Sequence, residues 1–145
     1  MSEKYKTDSD GLYFVSFSVV GWMDVFVRRE YQDILIDSIS YCQQHKNLKI
    51  YCYCIMLSHI HFITYSEMGE LSSILRDMKA FTAKALIKAI EENPQESRKE
   101  WMLDKFEYFG SKSPQKQKYQ FWKHDNHPFF FIFAKYDKTK SGLYT

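Results

Sequence analysis

Apolar and polar positions alternate or recur along this chain in segments that each fit one kind of element. Residues 12–20, Leu-Tyr-Phe-Val-Ser-Phe-Ser-Val-Val, are β-branched and aromatic with partial alternation, which predicts a strand. Residues 29–46 place Ile34, Leu35, Ser38, Ile39 and Cys42 at helical spacing with polar residues between them, an amphipathic helix. Residues 48–56 and 59–65 form two further strand-like runs. They are broken only by Leu57-Ser58, so 48–65 reads as a hairpin. Residues 66–70 read as a turn. Over 71–91 an apolar stripe of Leu71, Ile74, Leu75, Met78, Phe81, Ala85, Leu86 and Ile90 predicts a long helix, which Asn93-Pro94 stops. A short helix is expected near 97–107. Residues 110–118, Gly-Ser-Lys-Ser-Pro-Gln-Lys-Gln-Lys, read as a basic flexible loop, and 119–122 return to strand character.

The order strand, helix, strand, strand, helix, weaker strand is that of a split βαβ unit. It predicts an α+β, ferredoxin-like two-layer sandwich, an antiparallel sheet with helices packed on one face. At 145 residues the chain fits one domain, with a polar lead-in over 1–10 and an atypical tail over 129–145. That tail carries the apolar run Phe129–Phe133, which needs covering. Many activities use such a sandwich, so the fold alone does not select one.

Bulk composition narrows the field only slightly. The net charge is +2, yet the segment from Arg98 to Lys140 is rich in lysine and poor in acids after Glu107, so a local basic face is expected. Aromatics make up 18%, which fits either a well-packed sheet or surfaces on which bases stack. Three cysteines, Cys42, Cys52 and Cys54, give no even disulfide framework. With a polar start and no long apolar run, the chain reads as cytoplasmic, with no membrane span.

The candidate chemistry sits in the hairpin. His59 and His61 lie two apart on a predicted strand, so both imidazoles project from one face. Imidazole nitrogen binds divalent metals, and two such ligands leave positions for oxygen ligands and a substrate phosphate. A bare His-x-His is more often an incidental pair on a half-exposed strand; its place just after a turn and before an amphipathic helix raises its interest. A tight hairpin turning at Leu57-Ser58 also sets Cys54 opposite His61, with Cys52 on the same face. Two cysteines and two histidines are a zinc-compatible set, although Cys-x-Cys along a strand is not the usual knuckle spacing.

At these residues the chain resembles a known family. The segment Met56-Leu57-Ser58-His59-Ile60-His61-Phe62-Ile63 is similar to the Met-Pro-Asn/Ser-His-hydrophobic-His signature of single-tyrosine HUH transposases, the insertion-sequence and REP-associated enzymes, with Leu57 where that family usually has Pro. Leu75 to Lys84 resembles the family's helix with its Lys-Ser-Phe-Thr-like core. Phe121-Trp122-Lys123-His124-Asp125-Asn126-His127-Pro128 resembles the Trp-containing segment of the REP-associated branch. The resemblance runs from about Tyr13 to Pro128. It implies binding of single-stranded or hairpin DNA, a homodimer, and a Mg2+ or Mn2+ ion held by His59 and His61. It further implies a tyrosine hydroxyl that attacks a phosphodiester to give a 5′-phosphotyrosine and a free 3′-hydroxyl.

The resemblance weakens at the carboxyl end. The expected tyrosine helix and Asn-Asn-Pro-like motif are not found in the run from Phe129 to Thr145, and a frameshift or early stop is one account of this. By position Tyr136 is the best remaining nucleophile, with Tyr144 behind it, although an ordinary packing or surface tyrosine is the commoner role. For DNA contact the expected residues are Arg76, Lys79 and Lys84 on the long helix, Lys112, Lys116 and Lys118 in the basic loop, and Tyr119 and Trp122 as stacking rings. Phe121 is at least as suited to the core, and each lysine taken singly reads as a solvated face. Two other readings stand beside transposition: a catalytically inactive, truncated remnant that binds DNA, and a small structural zinc protein using Cys52, Cys54, His59 and His61.

Overall fold

The computed structural model describes residues 11–66, 71–124 and 129–130. Seven elements run in the order β1 (Gly11–Ser18), α1 (Arg29–His45), β2 (Lys49–Ile55), β3 (His59–Ser66), α2 (Leu71–Glu92), α3 (Lys99–Lys112) and β4 (Phe129–Phe130), with two short 3-10 turns at Val20–Trp22 and Val25–Val27. The strands form one sheet in the order β2-β3-β1-β4, and every neighbouring pair is antiparallel. This is the ferredoxin-like α+β arrangement expected from the order of the elements. No helix among the described residues is long and apolar enough to cross a membrane.

Strand alternation divides the sheet into two faces. Tyr13, Val15 and Phe17 of β1, with Ile60 and Phe62 of β3, are at most 2% exposed. They pack on Tyr31, Leu35, Ile39 and Cys42 of α1 and on Leu71, Ile74, Leu75, Met78, Leu86 and Ile90 of α2. The other set, Phe14, Ser16, His59, His61, Ile63 and Tyr65, points away from that core and is mostly half-buried.

Several expectations need correction in detail. On α2 the inward position is taken by Thr82, which is fully buried, whereas Phe81 is 62% exposed. Thr82 satisfies its hydroxyl locally by donating to Met78 O at 2.7 Å, so a polar residue sits in the apolar stripe without penalty. Residues 110–112, expected in a flexible loop, are the last turn of α3. Gly110 reads as a breaker in sequence but serves a close approach: a Cβ there would meet Gln117 O at 2.5 Å and Lys118 O at 2.8 Å. Residues 119–122 do not make the fourth strand. Among the described residues their strand-like pairing is an isolated bridge between Trp122 and Val19, and the fourth strand is Phe129–Phe130, paired with Tyr13 and Phe14. The lead-in over 1–10, the turn residues 67–70 and the tail from 131 lie outside the described residues.

One buried ion cluster fastens the start of α1 to the approach of α3. The Glu96 side chain has no exposed surface. Its Oε2 accepts from Arg98 Nε at 2.9 Å and from Arg98 N at 3.1 Å, and its Oε1 accepts from the Tyr31 hydroxyl at 3.0 Å. Arg28 Nε lies 2.8 Å from Oε1 as an ion pair, with its N–H turned out of hydrogen-bond line. Burial pushes the Glu96 carboxyl up, but the bonds from Arg98 and Tyr31 outweigh it and hold the pKa down at about 2.

Two expected outcomes follow from this packing. Glu96→Gln lowers unfolding free energy at neutral pH by about 3 kcal/mol, the usual effect of breaking a buried charge pair. Because the folded-state pKa is depressed, the stabilisation is complete above the ordinary value of 4.5 and is lost as pH falls towards 2, so wild type and variant converge over that window in urea titrations. Gly110→Ala, normally favourable in a helix, instead destabilises by roughly 1–3 kcal/mol through overpacking against backbone, read as a lower thermal midpoint.

Candidate functional site

The hairpin tip is held by backbone bonds on three sides. Met56 N donates to His59 O at 2.7 Å across the turn, Val19 N donates to Ser58 O at 2.9 Å, and Phe26 N donates to Leu57 O at 2.9 Å. A His-bearing strand that begins directly after such a tip inherits a fixed position. In the β1–β3 register Ser18 faces His59 and Ser16 faces His61, while on the other side β2 sets Cys54 opposite His61.

The two imidazoles lie side by side, with ring centroids 4.6 Å apart. Each is fixed through its Nδ1 by a serine: His61 Nδ1 is 2.9 Å from Ser16 Oγ, and His59 Nδ1 is 3.1 Å from Ser58 Oγ. The Phe14 ring stacks on His61 at 5.2 Å, and Trp22 meets His59 edge-to-face at 6.0 Å. Among the described residues neither imidazole makes a hydrogen bond through Nε2. When Nδ1 carries the proton and donates to the serine oxygen, the Nε2 lone pairs are available. Desolvation, and secondarily the neighbouring His59, lowers the His61 pKa below its ordinary 6.5, which favours the neutral ring.

Two adjacent imidazoles with free Nε2 atoms could supply part of a divalent-metal shell, and the remaining ligands would have to be oxygen. The zinc set is not assembled. Cys52 and Cys54 are exposed free thiols, Cys54 Sγ lies 3.5 Å from Met56 Sδ, and among the described residues no three His, Cys, Asp or Glu side chains are grouped to hold an ion.

The expected DNA-contacting residues are scattered. Arg76 is exposed beside Asp77. Lys79 points inward, donating from Nζ to Lys123 O at 3.0 Å and lying 5.5 Å from the Phe17 ring centre. Lys84, Lys118 and Tyr119 share a groove of about 400 Å3 along α2, with Tyr119 donating to Glu91 at 3.4 Å. Lys116 is exposed in a left-handed backbone position, φ 50°. Lys112 lies over Tyr108 and lines a separate cavity of about 300 Å3 with Gly21, Gln120, Lys123 and His124. Trp122 is a correction: it is 4% exposed, packs on Phe17 and Phe26, and donates from Nε1 to Thr82 Oγ1 at 2.9 Å, so it has no face for a base. Tyr136 and Tyr144 lie outside the described residues.

Sequence reasoning missed Ser16 and Trp22, which contact the histidine pair, and Lys123, which lies over Trp22; it gave Ser58 no role as the anchor of His59. Ser16 was signalled as the polar member between Val15 and Phe17, and Ser58 by its place directly before His59 in the signature-like segment. No family model matches the chain, and no curated protein matches it.

The electrostatics of the pair are directly measurable. Histidine resonances followed by NMR are expected to show His61 titrating below 6.5. His59→Ala moves that midpoint upward but not fully back, because desolvation is the larger cause. A His61 midpoint at or above 6.5 in the wild type would contradict the packed environment described here.

Proposed function

We propose that the chain is an HUH-type, single-tyrosine transposase-like protein that binds single-stranded or hairpin DNA, with metal-dependent strand cleavage and transfer as the ancestral activity. The observation that carries this reading is the paired, serine-anchored imidazoles of His59 and His61 on the outward sheet face. The resemblance of the Met56–Ile63 segment to the HUH signature supports it independently of geometry.

His59 and His61 would hold a divalent ion there, which would supply charge neutralisation and orientation for a scissile phosphate. Imidazole nitrogen favours Mn2+ over the harder Mg2+. The protein's own part is to aim both rings. Ser16 and Ser58 fix the Nδ1 side, Phe14 packs one ring face, and the rigid hairpin sets the spacing. In the covalent step the oxygen of a tyrosine, Tyr136 by position, forms a bond to phosphorus as the P–O3′ bond breaks. The product is a 5′-phosphotyrosine; the phenol gives up its proton, and the departing 3′-oxygen takes one up to end as a hydroxyl, so no net proton is gained or lost. Rejoining reverses the same bonds.

The test is a denaturing gel with labelled single-stranded and hairpin DNA plus Mn2+. The wild type is expected to give a denaturant-stable protein–DNA adduct, which Tyr136→Phe abolishes. His59→Ala and His61→Ala are each expected to reduce the adduct roughly 100-fold or more. Mobility shifts with no adduct would replace the catalytic reading with a DNA-binding module. No shift with either substrate would overturn the DNA reading itself.

A further inference from the structure

Where β1 ends, the chain takes two consecutive left-handed residues, Gly21 at φ 67° and Trp22 at φ 56°. Glycine accepts this conformation readily; a tryptophan does not. The strain is not offset by burial of the ring, because Trp22 remains 57% exposed. The residues around it are fully engaged. Val19, Val20 and Met23 are at most 3% exposed, Val20 N donates to Phe121 O at 2.9 Å, and Trp22 N donates to Val19 O at 3.1 Å. The surrounding core therefore forces an indole outward at a fixed point of the surface.

That point adjoins the histidine pair. The indole meets His59 at 6.0 Å between ring centres, and Lys123 Nζ sits 4.2 Å from the indole centre. Lys123 is positioned by its own backbone, whose N–H donates to Ser18 O at 2.8 Å. Beside it opens the cavity of about 300 Å3 lined by Gly21, Lys112, Gln120, Lys123 and His124. A rigid exposed aromatic, a cation against its ring and a basic hollow next to it form the combination that holds single-stranded nucleic acid: the ring stacks a base, and the cations meet the flanking phosphates. Strain retained at such a position points to use rather than to packing.

We propose that Trp22 is the stacking platform for one unpaired DNA base beside the His59–His61 pair, with Lys123 and Lys112 meeting the neighbouring backbone. This rests on the DNA reading above and adds to it the requirement that the base next to the site be unpaired. A duplex, whose bases are stacked on one another, cannot use the platform.

Full-length wild type, Trp22→Ala, Trp22→Phe and Trp22→Gly are compared by fluorescence anisotropy with a fluorescein-labelled single strand and with a blunt duplex. Their thermal midpoints are measured in parallel. Trp22→Ala and Trp22→Gly are expected to weaken single-strand binding about tenfold, Trp22→Phe much less, and duplex binding not at all. Trp22→Gly is expected to melt no lower than wild type, since it removes strain and no core contact. Equal single-strand affinity in wild type and Trp22→Ala would overturn the platform while leaving the DNA reading in place. A lower midpoint in Trp22→Gly accompanied by loss of binding would make the ring structural and overturn the platform too. A wild type that binds no single strand would remove both.

Discussion

The pairing of β1 with β3 is the constraint on which the site depends. Strand side chains alternate with a period of two, so the register that sets Ser16 against His61 and Ser18 against His59 also sends Val15, Phe17, Ile60 and Phe62 to the opposite face. Those four are at most 1% exposed, and each such side chain contributes roughly 1.5–3 kcal/mol by leaving water. A slip of one residue would drive both histidines into the core and several aromatics out of it. The stability of the hydrophobic layer thus fixes the placement of the imidazoles, although no core residue except through its backbone takes part in the site.

A second tie closes the far end of that strand. Trp122 bridges to Val19, donates to Thr82 and packs on Phe17 and Phe26. With Trp122 anchored, Lys123 N reaches Ser18 O at 2.8 Å, and its side chain lies over Trp22. Gly110 contributes at one remove, since only a residue without Cβ lets α3 approach the backbone at Gln117 and Lys118 so closely. The segment that delivers a lysine against the Trp22 ring is thus located by core packing from α2, by close backbone approach from α3 and by strand pairing from β1.

The layers of the fold were readable because they depend on periodicity. α1, the hairpin and α2 fall within one or two residues of their expected bounds, and the strand order follows from them. What was not readable depends on contacts between distant residues. Thr82 looks polar until its hydroxyl is seen bonded to Met78 O and approached by Trp122; Gly110 looks like a breaker until the crossing backbone is in place; Trp122 looks like a stacking ring until Phe26 covers it. Of the site, the histidine spacing was visible and its support was not. Ser16 is 45 residues from His61, and Trp22 owes its exposure to the core residues on either side of it.

The same separation explains why a nearly neutral chain can carry an anion-binding reading. The lysines do not form one stripe. Lys79 is spent on the Lys123 carbonyl, and Lys84 and Lys118 line a groove along α2. Lys112 and Lys123 share the cavity next to Trp22. A long duplex is held by many phosphates spread along a continuous basic face. A short unpaired segment needs only a few cations, provided an aromatic surface takes up its bases. On the proposed DNA reading, the positions of Trp22, Lys112 and Lys123, rather than the total charge of +2, would suit a single strand.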